Sequence, residues 1–122
     1  MNKTIGTIKV SIGKIVATID SGIGDYYYSL IPLSFVARRP LYGNKITVVR
    51  SPPIETFDYE KGMEFDNKTV EIEYDGCLQY QQPYFYLDCW SKDIEEIRKS
   101  LGLTKFRNGF SSYHITIGNV KP

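Results

Sequence analysis

Ser112-Tyr113-His114-Ile115-Thr116-Ile117-Gly118-Asn119 holds the only histidine of the 122-residue chain. Tyrosine, isoleucine and threonine in close alternation, ended by Gly-Asn, predict a strand over 111–118. Side chains alternate between the faces of a strand, so His114 and Thr116 share one face and Tyr113, Ile115 and Ile117 the other. A polar pair over an apolar set predicts a lined cleft above a packed core. The same polar-Ile-Thr pattern occurs upstream in Asn44-Lys45-Ile46-Thr47-Val48-Val49-Arg50, with Lys45 at the place of the histidine.

Working outward, residues 4–10 and 14–20 read as a hairpin, rich in β-branched residues and turned at Gly13. Asp20-Ser21-Gly22 stops it. The run from about Gly24 to Leu33 is compatible with helix or strand, and a short helix with Asp25 near its N-terminus and Pro32 closing it is favoured. Arg38 to Gly43 is a connector into strand 44–50, which Ser51-Pro52-Pro53 ends, because proline donates nothing to a ladder. Residues 54–68 read as a long polar loop of the lid or binding type. Strand 70–74 alternates cleanly and turns at Asp75-Gly76, and an aromatic strand follows at 84–90. Ser91 is the expected N-cap of helix 92–101, whose acids come early and whose bases, Arg98 and Lys99, come late, complementing its dipole. Ile94, Ile97 and Leu101 form its buried stripe, and Gly102 caps it. Hairpins and helices around one antiparallel sheet predict a single α+β domain over residues 1–122.

Composition narrows the function. A 42% hydrophobic and 24% charged content is that of an ordinary folded domain. Fifteen basic against fourteen acidic residues leave a charge of +1, too little field to hold long duplex nucleic acid. A phosphate must be gripped locally. Ten tyrosines supply core, and some of them offer flat faces for a base. Cys77 and Cys89 lack paired spacing, and with one histidine they do not predict a zinc site; Cys89 reads as a small buried thiol. Neither an apolar leader nor a membrane-length run is visible, so a soluble cytoplasmic protein without a membrane partner is expected.

Two His-x-Thr strands facing each other are the signature of the 2H phosphoesterases, and this chain resembles that superfamily with its first motif altered to Lys-x-Thr. The order Gly-Lys-Ile-Val-Ala-Thr-Ile-Asp at 13–20, Asp-Tyr-Tyr-Tyr-Ser-Leu-Ile at 25–31 and the two motif strands is similar to the small viral branch called Swiss Army Knife RNA repair-like. The C-terminal part, with Tyr86-Leu87-Asp88, helix 92–101 and Leu101-Gly102-Leu103, is the closest match. Only the 51–82 region lacks a counterpart. The resemblance implies two lobes related by a pseudo-twofold, with one motif strand from each meeting at a central cleft. It implies metal-independent cleavage of cyclic or 2′–5′-linked nucleotides, without a cofactor, and, for some bacteriophage members, removal of the cyclic nucleotide signals of bacterial antiviral defence.

Carried onto this chain, His114 matches a catalytic histidine, and Thr47 and Thr116 match the threonines that hold the phosphate; Lys45 departs from the pattern. One histidine would take a proton while its partner protonated the leaving oxygen. A lysine with a pKa of roughly 10.4 is instead a fixed cation, three donors with no acceptor. Losing one general acid/base typically removes on the order of 10²–10⁴ in rate, whereas an added cation can strengthen phosphate binding. Lys45, Thr47, His114 and Thr116 are therefore the expected ligand contacts. Arg50 is a further candidate at the strand end, although strict alternation puts it on the opposite pleat. Three functions follow: a module that captures and sequesters a cyclic or phosphate-linked nucleotide signal in the host cytoplasm, an active phosphodiesterase using His114, and an interaction scaffold. The lysine favours the first; the oligomeric state stays open.

Overall fold

The computed structural model describes residues 1–50 and 52–120. Ser51, the first residue of the expected strand stop, lies outside them. Seven strands and three helices form in the order β1 (Asn2–Ser11), β2 (Lys14–Thr18), α1 (Ser21–Tyr28), β3 (Lys45–Val49), α2 (Tyr59–Met63), β4 (Thr69–Tyr74), β5 (Gln79–Gln81), β6 (Tyr84–Trp90), α3 (Lys92–Ser100) and β7 (Tyr113–Asn119). The sheet runs β4-β1-β2-β3-β7-β6-β5 and every pairing is antiparallel. β4 also pairs with β6, Tyr74 with Cys89 and Glu73 with Trp90. Six strands thus close into a small barrel, and β5 lies beside the remaining half of β6. The class is α+β, as the alternation predicted.

Closure makes one register of every strand an interior. Ile8, Ile15, Ala17, Ile46, Leu87, Cys89, Ile115 and Ile117 are all fully buried, and each full burial of an aliphatic side chain is worth about 1.5–3 kcal/mol. The partner register (Lys45, Thr47, Tyr86, Asp88, His114 and Thr116) points outward and is half-buried. α3 adds Ile94 and Ile97 to the same core. Its N-cap is Ser91, whose hydroxyl accepts from Ile94 N at 3.1 Å and donates to Glu71 O at 2.6 Å. Gly102 follows with φ of 76°, the left-handed conformation that glycine adopts without steric cost.

Two expectations change, and one strand is added. The first helix starts at Ser21, with Asp20 accepting from Gly22 N, and it ends at Tyr28; Asp25 lies in its middle. Aspartate is a strong cap at either position, and the glycines at 22 and 24 concealed the earlier start. Gly24 of α1 packs so tightly against the segment preceding β3 that a Cβ would overlap the Asn44 side chain. The 54–68 stretch contains a short helix capped by Asp58, whose carboxylate accepts from the Glu60 and Lys61 amides. β5, which lacks β-branched residues, forms by pairing with β6. No helix among the described residues is long and apolar enough to cross a membrane.

Candidate functional site

The two motif strands are neighbours. The antiparallel pairing of Ile46 with Ile115 sets Lys45 across from Thr116 and Thr47 across from His114, all on the outer face of the barrel. Among the described residues that single pair is the registered ladder between β3 and β7. Side chains complete it at both ends. Asn44 Nδ2 donates to Thr116 O at 3.0 Å, and Arg98 Nη1 donates to Val48 O at 2.7 Å. Backbone carbonyls that the short ladder leaves over are satisfied this way.

Above this seam lies a cavity of about 440 Å³, walled by Thr47, Thr116, His114, Arg50, Tyr84, Tyr86, Arg107 and Phe110, with Arg98 and Glu55 also lining it. Four of the five expected contacts therefore meet in one cleft. Lys45 shares their face but is not among the lining residues; its ammonium lies 5.2 Å from the centre of the Tyr42 ring. Arg50 reaches the cleft despite its expected pleat. The register between β2 and β3 shifts, Ile15 facing Val49 and Val16 facing Thr47, and this bulge leaves Val48 and Val49 both buried. The phase of the strand flips there, and residue 50 returns to the side of Thr47.

His114 sits between two rings, Tyr86 at 4.5 Å and Phe110 at 5.4 Å between centroids. Asp88, its partner on β6, places Oδ1 3.4 Å from Nε2 and accepts the Ser112 hydroxyl at 2.8 Å on the same oxygen. Burial holds the imidazole below its ordinary pKa; Asp88 pulls it back up in part, and the Arg107 charge lowers it further. The balance favours the neutral imidazole, whose unprotonated nitrogen can accept a proton. The hydroxyls of Thr47 and Thr116 are committed to no other described residue, which leaves them free to donate to a phosphate oxygen.

The floor is a buried ion pair. Arg98 is 2% exposed and holds Glu55 with both terminal nitrogens, at 3.0 and 2.6 Å, while Nε donates to Thr104 O at 2.7 Å. Burial pushes the Glu55 carboxyl up, but hydrogen bonds from Arg98 and the Arg50 amide, with the Arg98 and Arg107 charges, hold it below the usual range. Arg107 lies with its guanidinium carbon 4.4 Å from the Phe110 ring.

Asp88, Glu55, Arg98, Arg107 and Phe110 are the site residues that sequence reasoning missed. Arg98 was legible: it lies four residues after Ile94, on the stripe of Ile97, and only its charge argued for solvent. Asp88 follows Tyr86 in the outward register of β6, but its register against His114 needs the sheet. Glu55, Arg107 and Phe110 sit in loops without periodicity. Among the described residues no three His, Cys, Asp or Glu side chains gather as metal ligands; the cleft offers hydroxyls, guanidiniums, one imidazole and aromatic faces. In comparisons with family models, curated proteins and solved structures, none matches the chain.

Proposed function

We propose that this cleft captures a phosphate-linked nucleotide, such as a cyclic di- or oligonucleotide signal, and holds it with little or no hydrolysis. The observation that carries the reading is the pairing of two uncommitted threonine hydroxyls, Thr47 and Thr116, beside a single proton-accepting group, His114, in one cationic cleft. A phosphate there would accept from both hydroxyls, and a base would find the faces of Tyr84, Tyr86 and Phe110. Exchange of a proton at the leaving oxygen needs a second group of matched pKa, and the position that the 2H pattern reserves for it carries Lys45. The crossed placement of Lys45 with Thr116 and Thr47 with His114 is what a 2H-like pseudo-twofold between two lobes would produce, and it supports that kinship. Bacteriophage origin and a role against cyclic-nucleotide defence follow from the resemblance alone.

One observation favours the second reading, an active metal-independent phosphodiesterase. Asp88 and the neutral His114 together form a serviceable general base. Incubation of the protein with a panel of cyclic and 2′–5′-linked nucleotides, chromatography of the products and heat release of bound material separates the two. Capture predicts intact nucleotide released on heating. Replacing Lys45 with His should raise hydrolysis tenfold or more, by restoring a titrating group across from Thr116. Rapid turnover by the unmodified protein, lost in His114→Ala, would put the enzyme first.

A further inference from the structure

The positive charge of the cleft is unevenly answered. Arg98 is spent: its guanidinium is bonded to Glu55, Val48 O and Thr104 O, and Glu55 neutralises it. Arg50 and Arg107 line the same wall, and among the described residues neither has a carboxylate within ion-pair distance. Arg39, by contrast, is paired with Asp25 and lies over the Tyr28 ring. Arg107 is half-buried beside the exposed Arg50; after burial itself the Arg50 charge most disfavours its ionised form, and the Glu55 charge offsets that in part. Gathering two like charges at a partly desolvated wall costs stability. An arriving anion would remove that cost, and planar guanidiniums suit phosphate oxygens because they donate in pairs. Phe110, beneath Arg107, limits the directions in which its fork can point.

We infer that Arg50 and Arg107 form a second anion subsite, distinct from the Thr47–Thr116–His114 group, so that the cleft takes a nucleotide bearing two phosphate groups in preference to one. The nucleotide part of this statement rests on the function proposed above; the anion subsite does not. A ligand with one phosphate satisfies the threonines and leaves the arginine pair unanswered. A second phosphate reaches both.

Calorimetric titration of the whole chain with inorganic pyrophosphate tests the subsite alone. Binding is expected to fall tenfold or more in Arg107→Gln and in Arg50→Gln, with Arg107→Lys intermediate, and less than threefold in Thr47→Val. Pyrophosphate binding that follows Thr47 and ignores both arginines, or that is absent from the unmodified protein, overturns the subsite. A second pair of titrations compares a cyclic dinucleotide with the cyclic mononucleotide of the same base. The dinucleotide should bind at least tenfold tighter, and Arg107→Gln should shrink that preference to threefold or less. An equal preference in Arg107→Gln would overturn the two-phosphate assignment. Pyrophosphate binding with neither nucleotide bound would sustain the subsite and discard the nucleotide reading.

Discussion

His114 concentrates the chemistry of the cleft, and as the one histidine in the chain it can be watched without assignment. Its imidazole resonances in an NMR titration should give a midpoint below the ordinary value. The signs of its neighbours then separate. Asp88→Asn removes the charge that favours the imidazolium, so the midpoint should fall further, whereas Arg107→Gln should raise it. A midpoint left unchanged by Asp88→Asn would mean that the two side chains do not interact. The linkage to stability has a direction as well. A histidine that binds its proton less readily folded than unfolded contributes stability at pH above about 6.5, which drains away as the pH falls from there towards the folded value. Sequence alone located this residue and its threonine neighbour because both lie in the outward register of an alternating strand. Asp88 stayed hidden because a carboxylate in an aromatic run means nothing until the sheet register places it opposite an imidazole.

At the level of elements, the Arg98–Glu55 pair ties α3, β3 and the loops on either side of the cleft to one point. Removing one partner of a buried pair leaves the other charged and unanswered, typically at a cost of about 3–5 kcal/mol. Arg98→Met and Glu55→Gln should therefore each destabilise by about that much in chemical denaturation. The double variant should lose less than the sum, because the second change removes the charge that the first one stranded. Acid should act in the same way. Glu55, held below its unfolded pKa, stabilises fully above about pH 4.5, and that contribution declines as the pH falls through its folded value. Periodicity made the strands and α3 readable. α2 and β5 were not, since one depends on a cap within a polar stretch and the other on a neighbour to pair with. The bulge that turns Arg50 into the cleft is likewise a property of two strands together, and alternation in one of them predicted the wrong face.

For the molecule as a whole, β1, β2 and β3 come from the first half of the chain and β4 to β7 from the second, and the halves join along two seams. The β1–β4 seam is long, with six registered pairs from Asn2–Tyr74 to Thr7–Thr69, whereas among the described residues β3–β7 has only Ile46 with Ile115. A saturating ligand at a hundred times its Kd adds about 2.7 kcal/mol to the folded state, a rise of roughly ten degrees in Tm for a domain of this size, measurable by calorimetry. Where that energy acts is set by the short seam. A barrel parts most readily where its ladder is thinnest, and the cleft spans that place, with Thr47 on one bank and Thr116 on the other. A bound phosphate would thus serve as a clasp across the opening edge. In deuterium exchange the amides around Ile46 and Ile115 should be faster than those of β1 and β4 in the free protein and the most slowed by ligand, with those of β1 and β4 nearly unchanged. Occupancy of the cleft would then be recorded in the breathing of the barrel, even by a ligand that is never cut.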